Sequence, residues 1–239
     1  MSPNPDAFLR HLQESGYHSR SNKHSNALAQ AIVDDLLATC PAMRDRGRQA
    51  QLVYDLNFTI TAGTSDWNID LVFGAPPPGT GPPPQEVPIV RTRPSTVEIA
   101  VEIKSIMTEH QKAMRNRKRD LEAHHEHVHR YNNHAIAAGV FVVNQAATFK
   151  SPLRPEVSDH KNPTALAEHC ILQMRSLSSR ADLRGVGLES KAVIVVDMDN
   201  LDFTSTRYVT QPPAPPVGDQ LHYDAFIQSL CTFYTHRFA

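Results

Sequence analysis

The stretch Ala135 to Asn144, AIAAGVFVVN, is small and apolar at nearly every position and carries no charge. A strand of that composition has no solvent face, so its sheet needs a covering layer on both sides. A second stretch, Val97 to Ser105 (VEIAVEIKS), alternates instead: Val97, Ile99, Val101 and Ile103 share one face, and Glu98, Glu102 and Lys104 the other. Upstream, Ser65 to Gly74 (SDWNIDLVFG) sets Ile69, Leu71 and Phe73 against Asn68 and Asp70. If these are neighbouring strands, an Asp, a Glu and a Lys converge on one rigid platform.

Helical spacing surrounds them. A short helix is expected around Asp6 to Glu14, and a longer one from Ser25 through Leu28, Ile32, Leu36 and Thr39, ended by Pro41. Gln51 to Ala62 reads as a strand with an irregularity near Asp55, turning at Gly63 and Thr64 into the Asp70 strand. Ala75 to Pro84, APPPGTGPPP, fits neither helix nor central strand and makes a long exposed loop. Thr108, Glu109, His110 and Gln111 fit a capping box for a helix to about Tyr131, with Met114, Leu121 and Val128 as its buried stripe. Asn162 and Pro163 open another helix, whose Leu166, Cys170, Met174 and Leu177 face inward. Lys191 to Asp197 is a further buried strand. Gln211 to Val217 is a proline-rich linker before a last helix, from about Asp219 to Arg237, whose Phe226, Leu230 and Phe233 are expected to dock on the domain or on a second subunit.

This order predicts an α/β fold, a central mixed β-sheet flanked by helices on both faces. At 239 residues one domain (1–239) suffices, with a core over about 25–150 and an extension over 151–239 containing the 211–217 linker. Cys40, Cys170 and Cys231 are odd in number and lack metal-type spacing, so small buried thiols in a reducing compartment are expected. No apolar run approaches a membrane span, and the first residues lack a signal-peptide layout, which predicts a soluble, cytoplasmic protein with no membrane partner. With 24 basic and 25 acidic residues, binding to nucleic acid has to rest on a local patch.

An Asp in one strand followed by Glu-x-Lys in the next, here Asp70 and Glu102-Ile103-Lys104, resembles the PD-(D/E)xK nuclease superfamily, which includes many type II restriction endonucleases. The proline that often precedes the Asp is absent; Ile69 stands there. The resemblance covers roughly residues 20 to 150. It implies a restriction-endonuclease-like core, catalysis by Asp70, Glu102 and Lys104, and Mg²⁺ held by Asp70, Glu102 and the carbonyl of Ile103. Lys104 would hold and help deprotonate the attacking water. It further implies cleavage of double-stranded DNA, a restriction or phage-defence role, and a homodimer or higher oligomer, because two strands need two active sites. In this family the first core helix often turns a polar side chain toward the metal, which here points to Asp34 or Gln30.

The segment Gln111 to Arg119 has five basic residues and no acidic one, so Lys112, Arg115, Arg117, Lys118 and Arg119 are candidates for DNA-backbone contacts. Each also suits a solvated helix face. His124, His125, His127, His129 and His134 form a run in which His125 and His129 stand at zinc-like spacing, yet no HExxH pattern follows. His125, beside Leu121 and Val128, is expected to face the site and the other histidines water. Glu98 reads as an additional acid or a surface charge. Three rivals remain: a ligand-activated nonspecific effector nuclease, an RNase or resolvase, and a catalytically silent nucleic-acid-binding module with a structural ion cluster.

Overall fold

In a computed structural model, which describes residues 5–62, 65–108 and 110–239, the chain is α/β: one seven-stranded mixed sheet with helices on both faces. In chain order the elements are α1 (Asp6–Ser15), α2 (Lys23–Thr39), α3 (Pro41–Arg48), β1 (Val53–Ala62), β2 (Ser65–Gly74), β3 (Val90–Arg91), β4 (Ile99–Ile106) and α4 (His110–Tyr131). Then follow β5 (Ile136–Asn144), β6 (Thr148–Lys150), β7 (Val157–Asp159), α5 (Pro163–Ser176), β8 (Ser190–Asp199), β9 (Asp202–Tyr208) and α6 (Tyr223–Phe238). The sheet order is β3-β1-β2-β4-β5-β8-β9, and β6 and β7 form a separate hairpin.

The centre is parallel because α4 carries the chain from β4 back to β5. All nine residues of β5 are buried, as its composition requires. Leu28, Ile32 and Leu36 of α2 and Phe226 and Leu230 of α6 cover one face, while Met114, Leu121 and Val128 of α4 and Cys170 and Met174 of α5 cover the other. Residues 151–239 supply β8, β9, α5 and α6 to this same sheet. Phe226 and Leu230 are spent in the chain's own core, with Phe233 packed beside them, so the last helix docks on its own sheet. Among the described residues no helix is long and apolar enough to cross a membrane.

Several local expectations give way. Pro41 ends α2, but it also opens α3 as a first-turn proline, a role for which its missing N–H is no loss. The irregularity in β1 lies at Asn57, which has φ 55°, and not at Asp55. The Gly63–Thr64 turn and Glu109 of the capping box lie outside the described residues. Leu166 is only partly buried. Cys40 and Cys231, 191 residues apart, are paired as a disulfide between the start of α3 and α6, so only Cys170 is a free buried thiol.

Candidate functional site

The β1–β2 hairpin bends where Asn57 faces Asp70. Pairing runs from Val53↔Gly74 to Leu56↔Leu71, omits Asn57, and resumes at Phe58↔Ile69. Before the bend, Leu56, Leu71 and Phe73 pack in the α2 and α6 core; beyond it, Phe58, Ile60 and Ile69 pack in the α4 core. The β2–β4 ladder stops at the same place, with Leu71↔Val101 as its last pair. Past that point the Asp70 carboxylate takes over: its Oδ2 accepts the Ile103 N–H at 2.8 Å. A ladder amide is thus satisfied by a side chain, and Asp70 is wedged where two strands part.

Glu102 and Lys104 follow on β4 and form an ion pair, with Glu102 almost wholly buried. Opposite Glu102 in the parallel β4–β5 register stands Gly139. A Cβ there would come within 2.9 Å of the Leu121 side chain, so the glycine lets α4 lie close over the strand. The close approach brings His124 of α4 to Glu102, Nδ1 to Oε2 at 3.9 Å, while its Nε2 lies 3.3 Å from the Ala100 carbonyl.

The electrostatics of the set are unbalanced. Burial, and then the charge of Asp70, push the Glu102 carboxyl up to about 8, against the opposing pull of Lys104. Asp70 is also raised by burial, although the Ile103 N–H, Lys104, the Ser25 hydroxyl and Arg117 favour its charged form. Burial alone would lower Lys104, but Glu102, Asp70 and Asp120 hold it above its usual range. Glu102 Oε2 and His124 Nδ1 are buried without a hydrogen-bond partner. Burial brings His124 down to about 3, so its ring is neutral. Two buried carboxylates therefore share one ammonium, and one carboxylate oxygen is orphaned.

Among the described residues no group of three His, Cys, Asp or Glu side chains could hold a metal ion. Two carboxylates and a backbone carbonyl suit a hard cation that keeps several waters.

The structure brings Asp70, Glu102, Ile103 and Lys104 together and disperses other candidates. Gln30 Nε2 donates to Asp34 at 3.0 Å and its Oε1 accepts from Tyr54, so this pair serves β1; the α2 residue acting on Asp70 is Ser25. His125 is buried against His129, and His124 takes the place expected for it. His127 stacks on Trp67 with ring centroids 4.8 Å apart, so it does not simply face water. Glu98 is buried and held by Arg46 at 2.8 and 3.1 Å, neither a site acid nor a surface charge. Lys112, Arg115 and Arg119 are exposed, whereas Lys118 bonds Gln173 and Ser176 of α5 and Arg117 bonds Asp120. Spacing alone offered one signal for what was missed on α4: Asp120 and His124 lie on the helical face that carries Arg117, Leu121 and Val128.

No family model, curated protein or solved structure matches this chain.

Proposed function

We propose that the chain is a Mg²⁺-dependent endodeoxyribonuclease of the PD-(D/E)xK kind that hydrolyses double-stranded DNA, serving restriction or phage defence as a homodimer. The observation that carries this reading is the orphaned, buried Glu102 carboxylate beside Asp70, one cation short, at a point where the strands part. A buried carboxylate oxygen without a partner is costly, and a bound cation would satisfy it. Asp70, Glu102 and the Ile103 carbonyl would hold the ion. When bound, Mg²⁺ supplies charge neutralisation at the phosphate and a water of lowered pKa.

The chain's own groups do the rest. Lys104, kept as an ammonium by its carboxylate neighbours, orients the attacking water and offsets charge on the pentavalent phosphorus. Ile103 N–H fixes Asp70. Arg117, from α4, acts electrostatically on Asp70.

The test is incubation of supercoiled plasmid with the protein and Mg²⁺, beside EDTA and Lys104→Ala controls. Discrete fragments lost in both controls are expected for a sequence-specific enzyme, and a smear lost in both for a nonspecific effector. Plasmid left intact even after cyclic oligonucleotides are added as activators would overturn the reading in favour of a silent binding module.

A further inference from the structure

Beside the α4 cations the surface is hollowed on both sides of Gln111. One cavity of about 440 Å³ is lined by Thr108, Gln111 and Lys112 on one wall and Ser158, Asp159, His160, Lys161 and Leu166 on the other. A second, of about 370 Å³, continues along α4 past Lys112, Arg115 and Arg119. A third, of about 390 Å³, continues past Lys161 toward His169. Gln111 borders all three: the first and third lie between the start of α4 and the β7–α5 segment, and the second runs along α4 itself, so the hollow at the loop leads onto the α4 cations.

The loop is held in place. His160 is buried, with Nδ1 2.7 Å from the Ala146 carbonyl and Nε2 3.5 Å from Thr108 Oγ1. Asn162 caps α5 by accepting from Ala165 N–H at 3.1 Å. Lys161 lies exposed between these two anchors. Of the described lining residues, Lys112, Arg115, Arg119 and Lys161 are cationic and only Asp159 is acidic. That is a marked local excess on a chain whose formal charge is −1.

We infer that this groove is a nucleic-acid backbone track in which Lys161 of the β7–α5 loop forms a second wall opposite Lys112, with Arg115 and Arg119 extending the track along α4. From Lys112 to Arg119 the helix rises about 10 Å, the axial length of about three nucleotide steps. Cations spread over that length fit a polymer of phosphates better than a single small anion. The inference rests on the nuclease reading only for what happens at Glu102; the track itself is a matter of binding.

The experiment measures binding of a labelled duplex of arbitrary sequence by the full-length protein in EDTA, by fluorescence anisotropy from low to moderate salt. Lys161→Ala is expected to weaken binding about 3- to 10-fold and to lower the salt slope by about one. Lys112→Ala should do the same, and Arg48→Ala, an exposed cation outside the groove, should do neither. A Lys161→Ala protein that binds like Arg48→Ala would overturn the inference, and so would a wild-type protein without affinity for duplex. Because Lys161 is exposed, an unchanged melting temperature is expected to confirm intact folding. Binding that depends on Lys161, in a protein that never cuts plasmid, would support the track while rejecting the nuclease.

Discussion

Glu189 and Glu102 are both buried carboxylates next to central strands, yet their surroundings differ in kind. Glu189 meets Arg180 at 3.2 Å, Arg237 at 2.8 Å, His129 at 3.2 Å and the Ala137 N–H at 2.9 Å. Burial pushes its carboxyl up, but these partners outweigh that and hold it below the usual range. Glu102 has one strong partner, Lys104, and a neighbouring acid, and it is driven the other way. Glu98, gripped by Arg46, belongs with Glu189. One molecule thus shows how a carboxylate is buried when it is there to hold the fold, and what it looks like when its balance is left open.

The sharpest way to break this contrast is through activity. Glu102→Gln and Lys104→Ala are each expected to cost at least about 10² in Mg²⁺-dependent cleavage, with melting temperatures near the parent's. A large loss of stability in either would make Glu102 a structural charge like Glu189. Conversely, Glu189→Gln leaves Arg180 and Arg237 underpaired, and unfolding by urea should reveal a loss of about 3–5 kcal/mol. Gly139→Ala pushes a Cβ into Leu121 and is expected to cost about 1–3 kcal/mol. Because α4 lies against Glu102 there, cleavage should fall more steeply than stability.

The contrast can be sharpened in pH dependence, where the two acids should have opposite signs. Glu102 binds its proton more tightly folded than unfolded, so its contribution falls as pH rises from about 4.5 to about 8. Glu189 is depressed, so its contribution is present above about 4.5 and is lost as pH falls below that. Melting curves of the parent against Glu102→Gln and Glu189→Gln, taken from pH 4 to 9, read each slope as a difference. Mg²⁺ should stabilise the parent more at pH 8 than at pH 6 and leave Glu102→Gln little changed; equal shifts in both proteins would dissociate Glu102 from the ion.

The alternation in β4, the unbroken apolar run of β5 and the seven-residue stripe of α4 made the centre of the sheet legible, because each is a local period. Asp70, Glu102 and Lys104 could be brought together for the same reason. What escaped was fixed by partners far along the chain. The two-residue β3, the β6–β7 hairpin and β9 are short or polar and owe their existence to pairing. Pro41 reads equally as a stop and as a start. His124 was passed over for His125 because choosing between neighbours on a helix needs the helix's rotation over the sheet, which Gly139 helps to set. Nothing in the spacing of Glu189, Arg180, Arg237 and His129 announces that they meet.

The Cys40–Cys231 link closes a ring that contains the whole proline-rich loop, Ala75 to Pro84. A protease that cuts once in that loop opens the ring without parting the molecule. The nicked chain would migrate as one species until a reductant is added, and then as two, one of them carrying Asp70 and the other Glu102 and Lys104. The split falls between the halves of the candidate site, so separately expressed pieces mixed under oxidising conditions offer a way to assemble that site from two strands of different origin.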